Sequence, residues 1–172
     1  LSAINILTAV LEDVNQEPMV RHEAGEALGA LGSTEAIEIL EKYRKDPIVP
    51  VAETCELALD RIKWLENGSN NEDNISNSNY KSVDPAPGTN CTDVLELCQI
   101  LKNEKDSLFN RYRAMFSLRN LATTAAVAAL GSALKYGSAL FKHEVAFVLG
   151  QMQDKSSVPF LIECLENRNE DE

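Results

Sequence analysis

Two histidines are the only imidazoles in the 172 residues, and a glutamate follows each of them, in Arg21-His22-Glu23 and in Lys142-His143-Glu144. The frame beyond them is shared as well, with Leu-Gly at the same distance in Leu28-Gly29 and Leu149-Gly150. One His-Glu pair is commonplace on a solvated helix face. Two pairs in a common frame that use every imidazole of the chain point to metal ligation. Imidazole and carboxylate donors around a centre with open positions suit non-haem Fe(II) sites that activate dioxygen. Neighbouring residues on a helix project about 100° apart, so one pair meets an ion obliquely and a second helix must supply further ligands.

The elements that carry these pairs read as helices. Ala27, Leu28 and Leu31, then Ala36, Ile37, Ile39 and Leu40, recur with a period near 3.6 and not 2. Pro18 suits a first helical position after Glu17, and Ser138 suits an N-cap. Each histidine then lies about five residues into its helix, where the helix dipole favours the neutral imidazole that a metal requires. Gly32-Ser33, Asp46-Pro47 and Asp154-Lys155-Ser156-Ser157 mark turns. Gly25 and Gly29 imply close helix packing; no strand precedes them and no Gly-Lys-Ser/Thr follows, so a phosphate loop is not expected.

The helices repeat. Residues 51–57 overlay 21–27 at an offset of 30, and residues 111–118 overlay 142–149 at an offset of 31. Periods of this size signify stacked helix pairs. The expected fold is all-α, a HEAT-like helical-repeat superhelix (an α-α solenoid) in two half-domains joined by a flexible linker. Residues 1–65 form the C-terminal part of the first half-domain and 91–172 the N-terminal part of the second. Residues 66–90 are polar and turn-rich, including Ser82-Val83-Asp84-Pro85-Ala86-Pro87-Gly88, and are expected to be disordered. Trp64 and Leu65 just before them read as the end of a buried helix face.

Composition narrows the function classes. A net charge of -11 opposes phosphate-backbone binding and is compatible with a cationic substrate or a basic partner. Apolar residues make up 44% of the chain, enough for a core. No apolar run approaches the roughly 20 residues of a membrane span, and Leu1-Ser2-Ala3-Ile4-Asn5 lacks a basic n-region, which makes a cytoplasmic location the default expectation. Cys55, Cys91, Cys98 and Cys164 form no Cys-x-x-Cys pair and are expected to be reduced packing residues. Asn-x-Ser/Thr triplets begin at Asn67, Asn74 and Asn90 but carry meaning only in a secreted protein. Hydrolase chemistry is disfavoured, because any serine or cysteine nucleophile would have to borrow one of the same two histidines.

The wider wording of the chain adds to this. The segments 17–32, 51–55, 82–87, 111–116 and 137–145 resemble the deoxyhypusine hydroxylase family, and the resemblance spans essentially the whole chain. It implies a HEAT-like superhelix in two halves around a di-iron centre, with four His-Glu motifs, two in each half. The implied reaction is hydroxylation, by dioxygen, of the deoxyhypusine side chain of eukaryotic translation initiation factor 5A. The implied cofactor is two Fe(2+) ions per full-length protein; from charge and the lack of a long apolar run, neither nucleic acid nor membrane is expected as a partner. By position His22-Glu23 matches the family's second motif and His143-Glu144 its third.

Residues 2–12 overlay 156–166 at an offset of 154, and carrying His22 through that offset places a further imidazole four residues past Glu172. The expectation is therefore a fragment lacking one motif on either side, and weak or absent hydroxylation by these 172 residues alone. The resemblance implies that His22 and Glu23 ligate one iron and His143 the other. Glu144 either approaches iron or accepts a hydrogen bond from the substrate amine, the resemblance favouring the second. Glu26, four residues from His22, could support the site, but its counterpart is Phe147, so a surface role is expected; Arg111 and Arg113 are expected to be surface cations. Two rivals stand against the oxygenase: a non-enzymatic HEAT-repeat adapter with no metal, and the related bilin-lyase repeat family.

Overall fold

The computed structural model describes residues 2–67 and 80–168, and among these there is no strand. The helices are α1 (Ala3–Glu12), α2 (Pro18–Leu31), α3 (Ile37–Tyr43), α4 (Val49–Asn67), α5 (Val94–Lys102), α6 (Leu108–Leu121), α7 (Thr124–Ala133), α8 (Ala139–Met152) and α9 (Val158–Glu166). Short 3-10 turns at Thr34–Ala36 and Lys155–Ser157 lead into α3 and α9. The all-α, HEAT-repeat architecture expected from the periodicity is what the chain adopts. No described helix is long and apolar enough to cross a membrane.

Local chemistry sets the helix ends. Pro18 is the first residue of α2, where its missing N–H costs nothing. Asp93, Ser107, Thr123 and Ser138 accept backbone N–H bonds at the starts of α5, α6, α7 and α8. Gly32 closes α2 in the left-handed conformation, at φ 65°. Both His22 and His143 are thereby the fifth residues of their helices.

The described helices fall into two compact units: α1 to α4 with Ser82–Pro85, and α5 to α9 with residues 80–81 and the chain from Ala86. In the first, α2 packs on α1 and on α4. Its core is built from Leu11, Ala24, Leu28, Ala36, Leu40, Val51, Cys55, Ala58, Leu59 and Ile62. Each large apolar side chain so buried contributes about 1.5–3 kcal/mol. Leu31, expected on that face, is exposed instead, because it stands at the last turn of α2. Cys55 is a packing residue as expected; burial, followed by the Asp46 charge, pushes its thiol up to about 12, which leaves it unreactive. All four cysteines are free thiols.

The second unit repeats the scheme with a larger aromatic core, in which Tyr112 meets Phe141 edge-on at 5.7 Å and Phe116 at 6.3 Å. An arginine ties the first helix pair together in both units. Arg21 Nε donates to Leu11 O at 2.9 Å, and Arg111 Nε donates to Leu101 O at 3.0 Å. These carbonyls belong to the last turns of α1 and α5, where helical partners run out.

Three expectations need correcting. Arg111 is not a surface cation but is 5% exposed, lying over the Phe141 ring at 3.9 Å, and Arg113 is half-buried, donating from Nε to Pro87 O at 3.2 Å. The linker expected over 66–90 starts on helix, because α4 runs to Asn67; residues 68–79 lie outside the described residues, and so does Asn74. The remainder is seated: Ala86 is fully buried and Thr89 N–H donates to Ser117 Oγ at 2.7 Å, so side-chain partners on α6 compensate a stretch with little apolar surface of its own. Leu65 is exposed and lies over the Gly32 turn, while Trp64 is half-buried.

Candidate metal centre

The closeness of α2 and α4 positions the first His-Glu pair. A Cβ at Gly29 would stand 2.7 Å from Ala58 Cβ and 2.9 Å from Ala58 Cα, and one at Gly25 would stand 3.2 Å from Thr54 Cγ2. The two glycines therefore do what the sequence implied, letting the helix backbones approach. That approach brings Thr54 of α4 against the inward edge of His22, whose Nδ1 is hydrogen-bonded to Thr54 Oγ1. His22 is 3% exposed.

With Nδ1 engaged inside, Nε2 is the atom that faces the carboxylates. Glu23 Oε1 lies 3.9 Å from it and Glu26 Oε2 3.7 Å. Glu26 reaches it because residues four apart share a helix face. Its side chain is 32% exposed against 70% for Glu23. Burial, then the charges of Glu23 and Asp84, raises the Glu26 carboxyl above its ordinary range. Glu26 is thus no ordinary surface residue, correcting the inference drawn from Phe147, its exposed counterpart. A cation at this place would replace repulsion among the acids with ligation.

Arg21, immediately before His22, is held just as firmly. It is 3% exposed, and besides Leu11 O its guanidinium binds Asp46 at 2.5 Å. Burial pushes the Asp46 carboxyl up, but the hydrogen bonds from Arg21 and from Ile48 N–H, with the Arg21 charge, outweigh it and hold the group below its usual value. The start of α2 is therefore anchored to the end of α1 and to the turn before α4.

The second pair has the opposite burial. His143 is exposed on α8 and Glu144 is buried. The two doublets share a frame and a helix position, yet the first puts its imidazole inside and the second its carboxylate.

One imidazole nitrogen with two carboxylate oxygens inside 4 Å is a donor set that Fe(II) accepts, so the residues of the first unit fit such an ion. Sequence reading named His22, Glu23, His143 and Glu144, undervalued Glu26 and missed Thr54. The signal for Glu26 was its spacing of four from His22; Thr54 has no signal in a linear motif, because it arrives from the next helix pair.

The HEAT repeats family model matches residues 94–172, and the PBS lyase HEAT-like repeat model matches residues 20–46. The chain is 55% identical over 172 residues to a deoxyhypusine hydroxylase of Drosophila pseudoobscura pseudoobscura, covering 99% of this chain and 56% of the relative. It is 50% identical over 169 residues to the Homo sapiens deoxyhypusine hydroxylase, covering 96% and 55%. A solved structure of human deoxyhypusine hydroxylase in complex with glycerol superposes with a TM-score of 0.91 at 49% identity, covering 98% of this chain and 57% of that one. The chain thus spans about half the length of these relatives.

Proposed function

Since the chain is homologous along 99% of its length to deoxyhypusine hydroxylases, we propose that it supplies part of the iron centre of a monooxygenase that hydroxylates the deoxyhypusine side chain of eukaryotic translation initiation factor 5A. The observation that carries this reading is the buried His22 imidazole with Glu23 and Glu26 within 4 Å of its Nε2. His22 and Glu23 would hold one Fe(2+), with Glu26 able to ligate or to balance its charge; His143 would hold the other. Iron bound there would activate dioxygen so that one oxygen atom enters a carbon–hydrogen bond and the other leaves as water, with two electrons drawn from an external reductant.

The protein's own residues do the rest. The buried Glu144 is the residue suited to accept a hydrogen bond from the substrate ammonium, a charge-assisted contact that orients the side chain next to the metal. The net charge of -11 favours the approach of a cationic side chain. Two imidazoles shared between two ions leave one for each, so these 172 residues by themselves hydroxylate weakly or not at all. The cytoplasm is the compartment where a translation factor would be met.

Iron content decides between this reading and a metal-free HEAT adapter. After anaerobic reconstitution with Fe(2+), the protein purified from its natural gene should hold close to two ions per chain. Less than one ion per chain removes the oxygenase reading.

A further inference from the structure

The hydroxyl at Thr54 sits where the repeat has no use for one. At the positions equivalent by the repeat register the chain carries Ala24, Ala114 and Val145, which are 3%, 1% and 0% exposed. Thr54 is as deeply buried, at 3%. A helix-packing position that is otherwise apolar has therefore gained an oxygen in α4, whose neighbour α2 presents His22 to it. Burying a hydroxyl is unfavourable unless it is hydrogen-bonded, and here its partner is the imidazole.

We infer that Thr54 is the positioning residue that sets the His22 ring and its proton for metal binding at Nε2. The inference rests on the iron-centre reading above and adds a residue to it. A neutral imidazole carries one proton, on one nitrogen, and only the other nitrogen can bind a metal. Nε2 is the atom that faces Glu23 and Glu26, so the proton must stand on Nδ1, where Thr54 Oγ1 accepts it. The β-branched side chain is stiff at χ1, and its methyl lies against Gly25, 3.2 Å from where a Cβ would be. The hydroxyl is thereby aimed as well as present. With a methyl in its place, a proton on Nδ1 would lose the hydroxyl that accepts it. The ring would then keep its proton on Nε2, facing the carboxylates, and the metal would lose its lone pair. Partners of this kind behind a ligating histidine typically govern 10–100-fold in metal affinity.

The test compares the natural protein with Thr54→Val, which keeps the shape, and Thr54→Ser, which keeps the oxygen. Fe(2+) affinity is titrated anaerobically, the protonated ring nitrogen of His22 is read by nitrogen-15 NMR in the metal-free protein, and melting temperature reports the fold. The expected result is a drop of about 10–100-fold in affinity for one iron in T54V, with its ring proton moved to Nε2, and near-normal affinity and tautomer in T54S. Equal affinity and tautomer in wild type and T54V overturn the inference while leaving the iron-centre reading intact. A T54S protein that folds yet binds iron poorly overturns it too, and holds even if T54V does not fold. A wild type that binds no iron overturns both readings together.

Discussion

Arg21 keeps its charge in a nearly dry place one residue from His22, and Asp46 is what makes that tolerable; both side chains are 4% exposed. Replacing one member of a buried ion pair leaves the other charge without compensation, at a cost of about 3–5 kcal/mol. Asp46→Asn is therefore expected to lower the melting temperature by several degrees at neutral pH, as a thermal scan would show. The pH dependence has a definite sign. Asp46 titrates lower in the folded chain than in the unfolded one, so its contribution is present above the ordinary carboxylate value near 4 and is lost as pH falls from there through the folded value. Between about pH 4 and that lower value, wild type should lose its stability advantage over D46N. An advantage unchanged down to pH 2 would mean that it does not come from the Asp46 charge.

At the scale of elements, α2 and α8 share a frame but not a neighbourhood. Gly29 and Gly150 are equivalent, each seven residues beyond its histidine. A Cβ at Gly29 would collide with Ala58, whereas a Cβ at Gly150 meets nothing within 4 Å among the described residues. Gly29→Ala is expected to cost about 1–3 kcal/mol by overpacking, beyond the gain in helix propensity. Gly150→Ala should stabilise by about 0.5–1 kcal/mol, because alanine loses less backbone freedom on folding. Urea unfolding of the two variants checks both signs, and a stabilised G29A would refute the close approach that brings Thr54 to His22. Much of this was legible beforehand: Pro18 and Ser138 start their helices where their chemistry says they should, and the Gly25/Gly29 spacing implied close packing. What could not be read was which residue meets which across helices. Arg111 looked solvated because nothing in the local pattern reveals Leu101 O or the Phe141 ring. Residues 82–90 looked disordered because their partners, Ser117 and Arg113, lie 26–28 residues along the chain.

For the molecule as a whole, the repeat architecture by itself is compatible with many functions. The proposed chemistry rests on two doublets that use every imidazole, on the acids gathered at His22 Nε2, and on a net charge of -11 that would favour a cationic substrate. The most direct measurement is of the reaction. Factor 5A carrying deoxyhypusine is incubated with the protein purified from its natural gene, Fe(2+), a reductant and oxygen-18 gas, and the modified residue is weighed by mass spectrometry. The account predicts incorporation of one oxygen-18 atom, abolished when His22 and His143 are both replaced by alanine. Turnover that survives the double replacement, or a product whose oxygen comes from water, would contradict it.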